Sequence, residues 1–86
     1  VPTDGRRPAP PRIQVSCLDG EECKLFIEPW GAEFTVRRGA AVSVESHAFA
    51  IGAVDVCCVA DGISIAFTTD VPIAIVDGNG RRHRIG

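Results

Sequence analysis

The chain contains no methionine and no tyrosine, a single tryptophan and a single lysine. Trp30 and four phenylalanines are its only aromatic residues. So few rings argue against a platform for stacking nucleobases, which needs an aromatic face for each base it holds. Charge argues the same way. The formal net charge is −2, whereas binding to phosphate backbones calls for a surplus of cations. Eight of the nine cationic residues are arginine and alanine is abundant, a bias that points to a GC-rich bacterial genome rather than to a task.

Long apolar runs are missing too. The longest, Ala48 to Val54, is interrupted by Gly52 and stopped by Asp55, far short of the roughly 20 residues of a membrane span. The N-terminus is polar and lacks the apolar core of a signal peptide. These absences predict no nucleic-acid partner, no membrane partner and a cytoplasmic location. The missing initiator methionine leaves open a trimmed or processed chain and a removed secretion signal. Catalytic signatures are absent as well: there is no H-x-H, no G-x-S-x-G and no phosphate-cradling glycine loop. A Cys–His nucleophile pair would need a third group and an oxyanion pocket, and the residues nominate neither. No cofactor is expected, no small-molecule ligand is indicated, and no enzyme activity is predicted.

Residues 1–11, V-P-T-D-G-R-R-P-A-P-P, hold four prolines and no apolar periodicity. They are expected to form a disordered, proline-rich arm: a solvated tail, a tether, or a ligand for a proline-recognising partner. From Arg12 the pattern becomes period 2, with turn residues every eight to ten positions, the rhythm of a sandwich or barrel. Ile13, Val15 and Cys17 alternate with Gln14, Ser16 and Leu18. Cys23, Leu25 and Ile27 alternate with Lys24, Phe26 and Glu28. Phe34 and Val36 are expected to pair with Val42 and Val44 as a hairpin across Arg38-Gly39-Ala40. Ser46 to Ala53 is a loop or a short irregular strand. Val54 to Ala60 carries little polarity on either face, which suits a central strand. Asp61-Gly62 and Asp77-Gly78-Asn79-Gly80 are hairpin turns. Residues 12–86 are therefore expected to be one small all-β domain, an antiparallel sandwich or barrel of about seven or eight short strands in largely sequential hairpins.

The run Leu25-Phe26-Ile27-Glu28-Pro29-Trp30-Gly31-Ala32-Glu33-Phe34, followed by the later D-G turn before a last short strand, resembles small bacterial β-rich proteins that carry an E-P-W-G-x-E-(Y/F) stretch ahead of a hairpin. That group has no assigned activity, so the resemblance implies a fold and no catalytic residues. The stretch also has a physical reading. Pro29 ends a strand, because it cannot donate to a ladder, and Gly31 permits a reversal. Trp30 either seals this corner or stays partly exposed as an interface anchor, since tryptophan is enriched at binding hot spots. Phe26, Trp30, Glu28 and Glu33 are thus the candidate interface residues. A glycosidase pair built from Glu28 and Glu33 would need a substrate cleft, for which the chain is short.

Four cysteines remain. Alternation puts Cys17 and Cys23 on one face, facing each other across a hairpin. They are either buried thiols or a disulfide, which would close a short loop and stabilise by about 2 kcal/mol. Cys57 and Cys58 are strand neighbours and point to opposite faces, Cys58 toward the core with Val54 and Val56, and Cys57 outward with Asp55 and Val59. A metal site using Cys17, Cys23, Cys57 and His47 (or His83) is the competing arrangement, although C-x5-C is not a zinc-knuckle spacing. The terminal Arg81-Arg82-His83-Arg84 run makes a soluble edge or docks on an acidic partner.

Three functions follow. The first is a non-catalytic binding or assembly module that contacts a protein partner or a second copy of itself, motivated by outward apolar positions at Phe26, Ala66, Ala74 and Val76. The second is a cysteine/histidine metal or redox module. The third is a small enzyme with a site formed between subunits, joining Glu28, Glu33, His47 or a cysteine.

Overall fold

A computed structural model describes residues 9–18 and 20–85. Most of the proline-rich arm and Asp19 lie outside the described residues. Eight strands follow one another: β1 (Arg12–Ser16), β2 (Glu22–Glu28), β3 (Ala32–Arg37), β4 (Ala41–Glu45), β5 (Val54–Val59), β6 (Gly62–Phe67), β7 (Ile73–Val76) and β8 (Arg82–Ile85). They build two four-stranded sheets, ordered β1-β4-β7-β8 and β3-β2-β6-β5. Neither sheet closes on itself, so the all-β domain is a sandwich and not a barrel.

Alternation explains what lies between the sheets. β1, β4 and β7 turn Val15, Val42, Val44, Ile73 and Ile75 inward, and β2, β3 and β6 turn Leu25, Ile27, Val36, Ile65 and Phe67 to meet them, all of them buried. Burying side chains of this size stabilises by roughly 1.5–3 kcal/mol each. The residues between them face out, as expected for strands with one dry and one wet face.

Three of the six pairings are sequential hairpins: β2–β3, β5–β6 and β7–β8. The expected hairpin between the Phe34/Val36 and Val42/Val44 runs does not form. β3 pairs with β2, while β4 pairs with β1 and β7. The chain crosses between sheets at Arg38–Ala40, where the backbone N–H of Arg38 donates to the Glu21 carbonyl at 2.8 Å. Alternation sets which face a residue takes but not which strand lies beside it. One pairing, β2 with β6, is parallel.

The Ser46 to Ala53 stretch holds a 3₁₀ turn, His47–Phe49. The buried Ser46 hydroxyl accepts from the Ala48 N–H at 3.1 Å, and the Ser46 N–H donates to the Pro11 carbonyl at 3.0 Å. Pro11 is thereby tied to the sandwich. Among the described residues no helix is long and apolar enough to cross a membrane.

Candidate functional site

Cys17 and Cys23 are joined as a disulfide with their Cα atoms 5.6 Å apart. They do not sit across a hairpin, because β1 and β2 belong to different sheets; the bond links one layer of the sandwich to the other. A disulfide has no free thiolate to offer a metal. Cys57 lies on β5 in the middle of a hairpin, and His47 opens the 3₁₀ turn. Among the described residues no three His, Cys, Asp or Glu side chains gather as a metal site.

The E-P-W-G corner is built from the end of β2, a cis Glu28–Pro29 peptide and Gly31 at φ +73°. A side chain at that backbone conformation is strained, which is why glycine occupies it. The indole of Trp30 packs on Phe67, ring centroids 6.0 Å apart. Phe67 in turn meets Phe49 edge-on at 5.8 Å. Trp30 therefore covers one end of the core and still keeps 38% of its surface exposed. Phe26 and Glu33 are register partners on the outer face of their sheet. Glu33 pairs with Lys24 at 3.3 Å, and the Lys24 ammonium also donates to the Thr35 hydroxyl at 3.0 Å. Glu28 lies further along the same face of β2, opposite Ala66.

His47 borders an open cleft of about 360 Å³ with Pro72, Ile73, Arg84 and Ile85. Neither Glu28, Glu33 nor any cysteine lines it, so among the described residues one chain does not assemble the enzyme constellation. On the outer face of the first sheet, Glu45 and Arg82 form an ion pair at 2.7 Å. Their strands flank β7, with Glu45 opposite Ala74 and Arg82 opposite Val76. The pair thus spans the two apolar residues that β7 turns outward, and both are half-buried.

The feature that alternation missed is β5. It is not central but the edge of its sheet. Val54, Val56 and Cys58 take the inner face beside Phe67, Ile65 and Ile63. Only Val54 packs on the core; Val56 is 55% exposed, and Cys58 is exposed rather than buried. Its other face carries Asp55, Cys57 and Val59, all exposed. A strand apolar on both faces looks the same in sequence whether it is central or an uncovered edge; the lack of lysine or proline, which protect natural edges, was the available signal.

The backbone of that edge can be assigned. The Thr68 N–H donates to the Ala53 carbonyl at 3.0 Å, one step beyond the Val54–Phe67 pair. Successive peptide groups point to opposite edges of a strand. Hence Asp55, Cys57 and Val59 direct theirs to β6, and Val54, Val56 and Cys58 direct theirs away from the sheet. No described strand receives them.

Cys57 and Cys58 are free thiols. Cys57 donates to the Asp55 carboxylate with sulfur and oxygen 3.6 Å apart. The charge of Asp55, with this hydrogen bond, pushes the Cys57 thiol above its ordinary range, so it stays protonated near neutral pH and is a weak nucleophile. No known protein family, curated protein or solved structure matches the chain significantly.

Proposed function

We propose that this domain is a non-catalytic binding or assembly module that works through contacts with protein. The open edge of β5 is the observation that supports this most: outward-facing peptide groups at Val54, Val56 and Cys58, with Val56 and Val59 respectively 55% and 40% exposed. A row of unpaired N–H and C=O groups is a template for another strand, and strand addition is a recurrent mode of protein recognition. The outward alanine and valine of β7 lie under the Glu45–Arg82 pair of the same chain, which leaves β5 as the better-motivated contact.

A photo-crosslinking residue placed at Val56, with a control at Ser43 on the opposite sheet, tests this in cells that make the protein. A discrete protein adduct at position 56 and none at 43 is the expected result. No adduct at 56, or equal labelling at both positions, would remove the basis for the reading.

A further inference from the structure

Resting on that reading, we infer that the partner at the β5 edge is a second copy of this chain, paired antiparallel about a two-fold axis through Cys57. The strand is self-complementary in this arrangement. Val56 and Cys58 are the residues whose peptide groups face outward, and turning the strand over brings Val56 of each copy opposite Cys58 of the other. Each such pair exchanges two hydrogen bonds. Asp55 then lies opposite Val59, and Cys57 opposite its own equivalent.

The charge within the strand itself favours this geometry. Asp55 is the one charged residue in Val54–Val59. A parallel pairing would set the two carboxylates side by side, and like charges directly opposite are destabilising. A two-fold through Val56 would bring the carboxylates to within two residues of each other along the strands. The two-fold through Cys57 separates them by four residues, about 13 Å at strand rise. It also draws both exposed valines into the contact. The uncovered inner face at Val56 and Cys58 becomes continuous with that of the partner, so the two hairpins form one longer sheet.

The Cys57 pair in this dimer is of the non-hydrogen-bonded kind, with Cα atoms about 4.5 Å apart, inside the range that a disulfide spans. The two Cys58 residues are offset by two positions and lie too far apart to bond. This gives a site-specific trap. Diamide, an added oxidant, takes two electrons and two protons from the Cys57 thiols, its N=N bond being reduced to the hydrazine as the S–S bond forms.

A strand-sized contact lies below the roughly 1,200 Å² of a standard interface, so the dimer is weak and needs high concentration. Sedimentation velocity from about 10 μM to about 1 mM is expected to show the mass rising from 9.1 kDa toward twice that value. Val56→Lys should hold the protein monomeric over the same range. Diamide should give a covalent dimer with the wild type and with Cys58→Ser, and at least tenfold less with Cys57→Ser. Circular dichroism of each variant checks that it remains folded. A monomer at every concentration, or a covalent dimer that depends on Cys58 instead of Cys57, overturns the inference. The mass of the position-56 photo-adduct separates the two claims: an adduct with a different protein keeps the binding module and removes the self-pairing, and no adduct removes both.

Discussion

Val56 and Ile65 are direct register partners on β5 and β6. Paired residues share one face of a sheet, yet Ile65 has no exposed surface and Val56 keeps 55% of its own. The sandwich ends between them: the opposite sheet covers β6 and leaves β5 overhanging. Truncation should cost very different amounts at the two positions. Ile65→Ala removes methyl groups from a closed core and is expected to destabilise by roughly 2–5 kcal/mol. Val56→Ala should stay within about 0.5 kcal/mol in dilute protein, as for other surface substitutions. Urea denaturation of both variants measures the contrast. A large loss at Val56 would mean that the monomer covers the β5 face.

The disulfide closes a short loop and ties the residue after β1 of one sheet to β2 of the other. Cys17 is buried, 3% exposed, within the core cluster. Reduction, or the double replacement Cys17→Ser with Cys23→Ser, is expected to lower unfolding free energy by roughly 2 kcal/mol from loop closure. The serine pair should cost more than simple reduction, since a buried hydroxyl at position 17 needs a partner. Denaturation with and without reductant compares the two.

Much of this architecture is legible in the alternation of side chains. Leu25 and Ile27 sit inside, where their period-2 run puts them, and Asp77–Gly80 turns the chain back. Strand partners are another matter. Val36 and Val42 flank a short turn and look like hairpin neighbours, but they face each other from separate sheets, because nonlocal packing decides pairing. The same limit hid the candidate site. Val54–Val59 carries little polarity on either side, a pattern shared by a strand buried in the middle of a sheet and by a bare edge. Only knowing which strands lie beside and above it separates the two cases. Cys58 shares the inner face with Val54 and Val56, as expected, and is exposed because β5 is such an edge.

Gly62 tests the parallel β2–β6 contact. A Cβ at this position would run into the Lys24 carbonyl oxygen and lie 2.7 Å from its nitrogen and 2.8 Å from its carbonyl carbon. These are backbone atoms in a central strand, held further by the Lys24 N–H donating to the Asp61 carbonyl at 2.8 Å, so they cannot swing aside. Gly62→Ala is expected to destabilise by about 1–3 kcal/mol or to prevent folding altogether. Gly52→Ala serves as a comparison, because an added Cβ there meets nothing within 4 Å. It carries only the strain of its positive φ. Thermal melts of the pair should show the larger loss at Gly62; equal losses would place the cost in backbone dihedrals rather than in the close approach of two strands.

The last hairpin should show its own pH dependence. Asp77 accepts from the backbone N–H groups of Asn79 and Arg81, both at 2.9 Å, and its other oxygen meets His83 Nε2 at 3.0 Å. The hydrogen bond with His83 and then the bond from Arg81 hold the Asp77 carboxyl below its ordinary range, with a smaller contribution from Asn79. A carboxyl with a lower pKa folded than unfolded adds stability while it is ionised in both states. That contribution starts to fade as pH falls past the unfolded value, about 3.9, and is gone once pH has dropped through the folded one. Asp77→Asn keeps an amide oxygen for the two backbone donors but has no proton to gain. The wild type should therefore lose more stability than Asp77→Asn as pH falls from about 5 to about 2 in urea denaturation. A carboxyl-carbon NMR titration should give Asp77 a midpoint below that of an ordinary aspartate. If both proteins follow the same pH curve, the turn is held by its backbone hydrogen bonds alone and the charge on Asp77 contributes nothing to it.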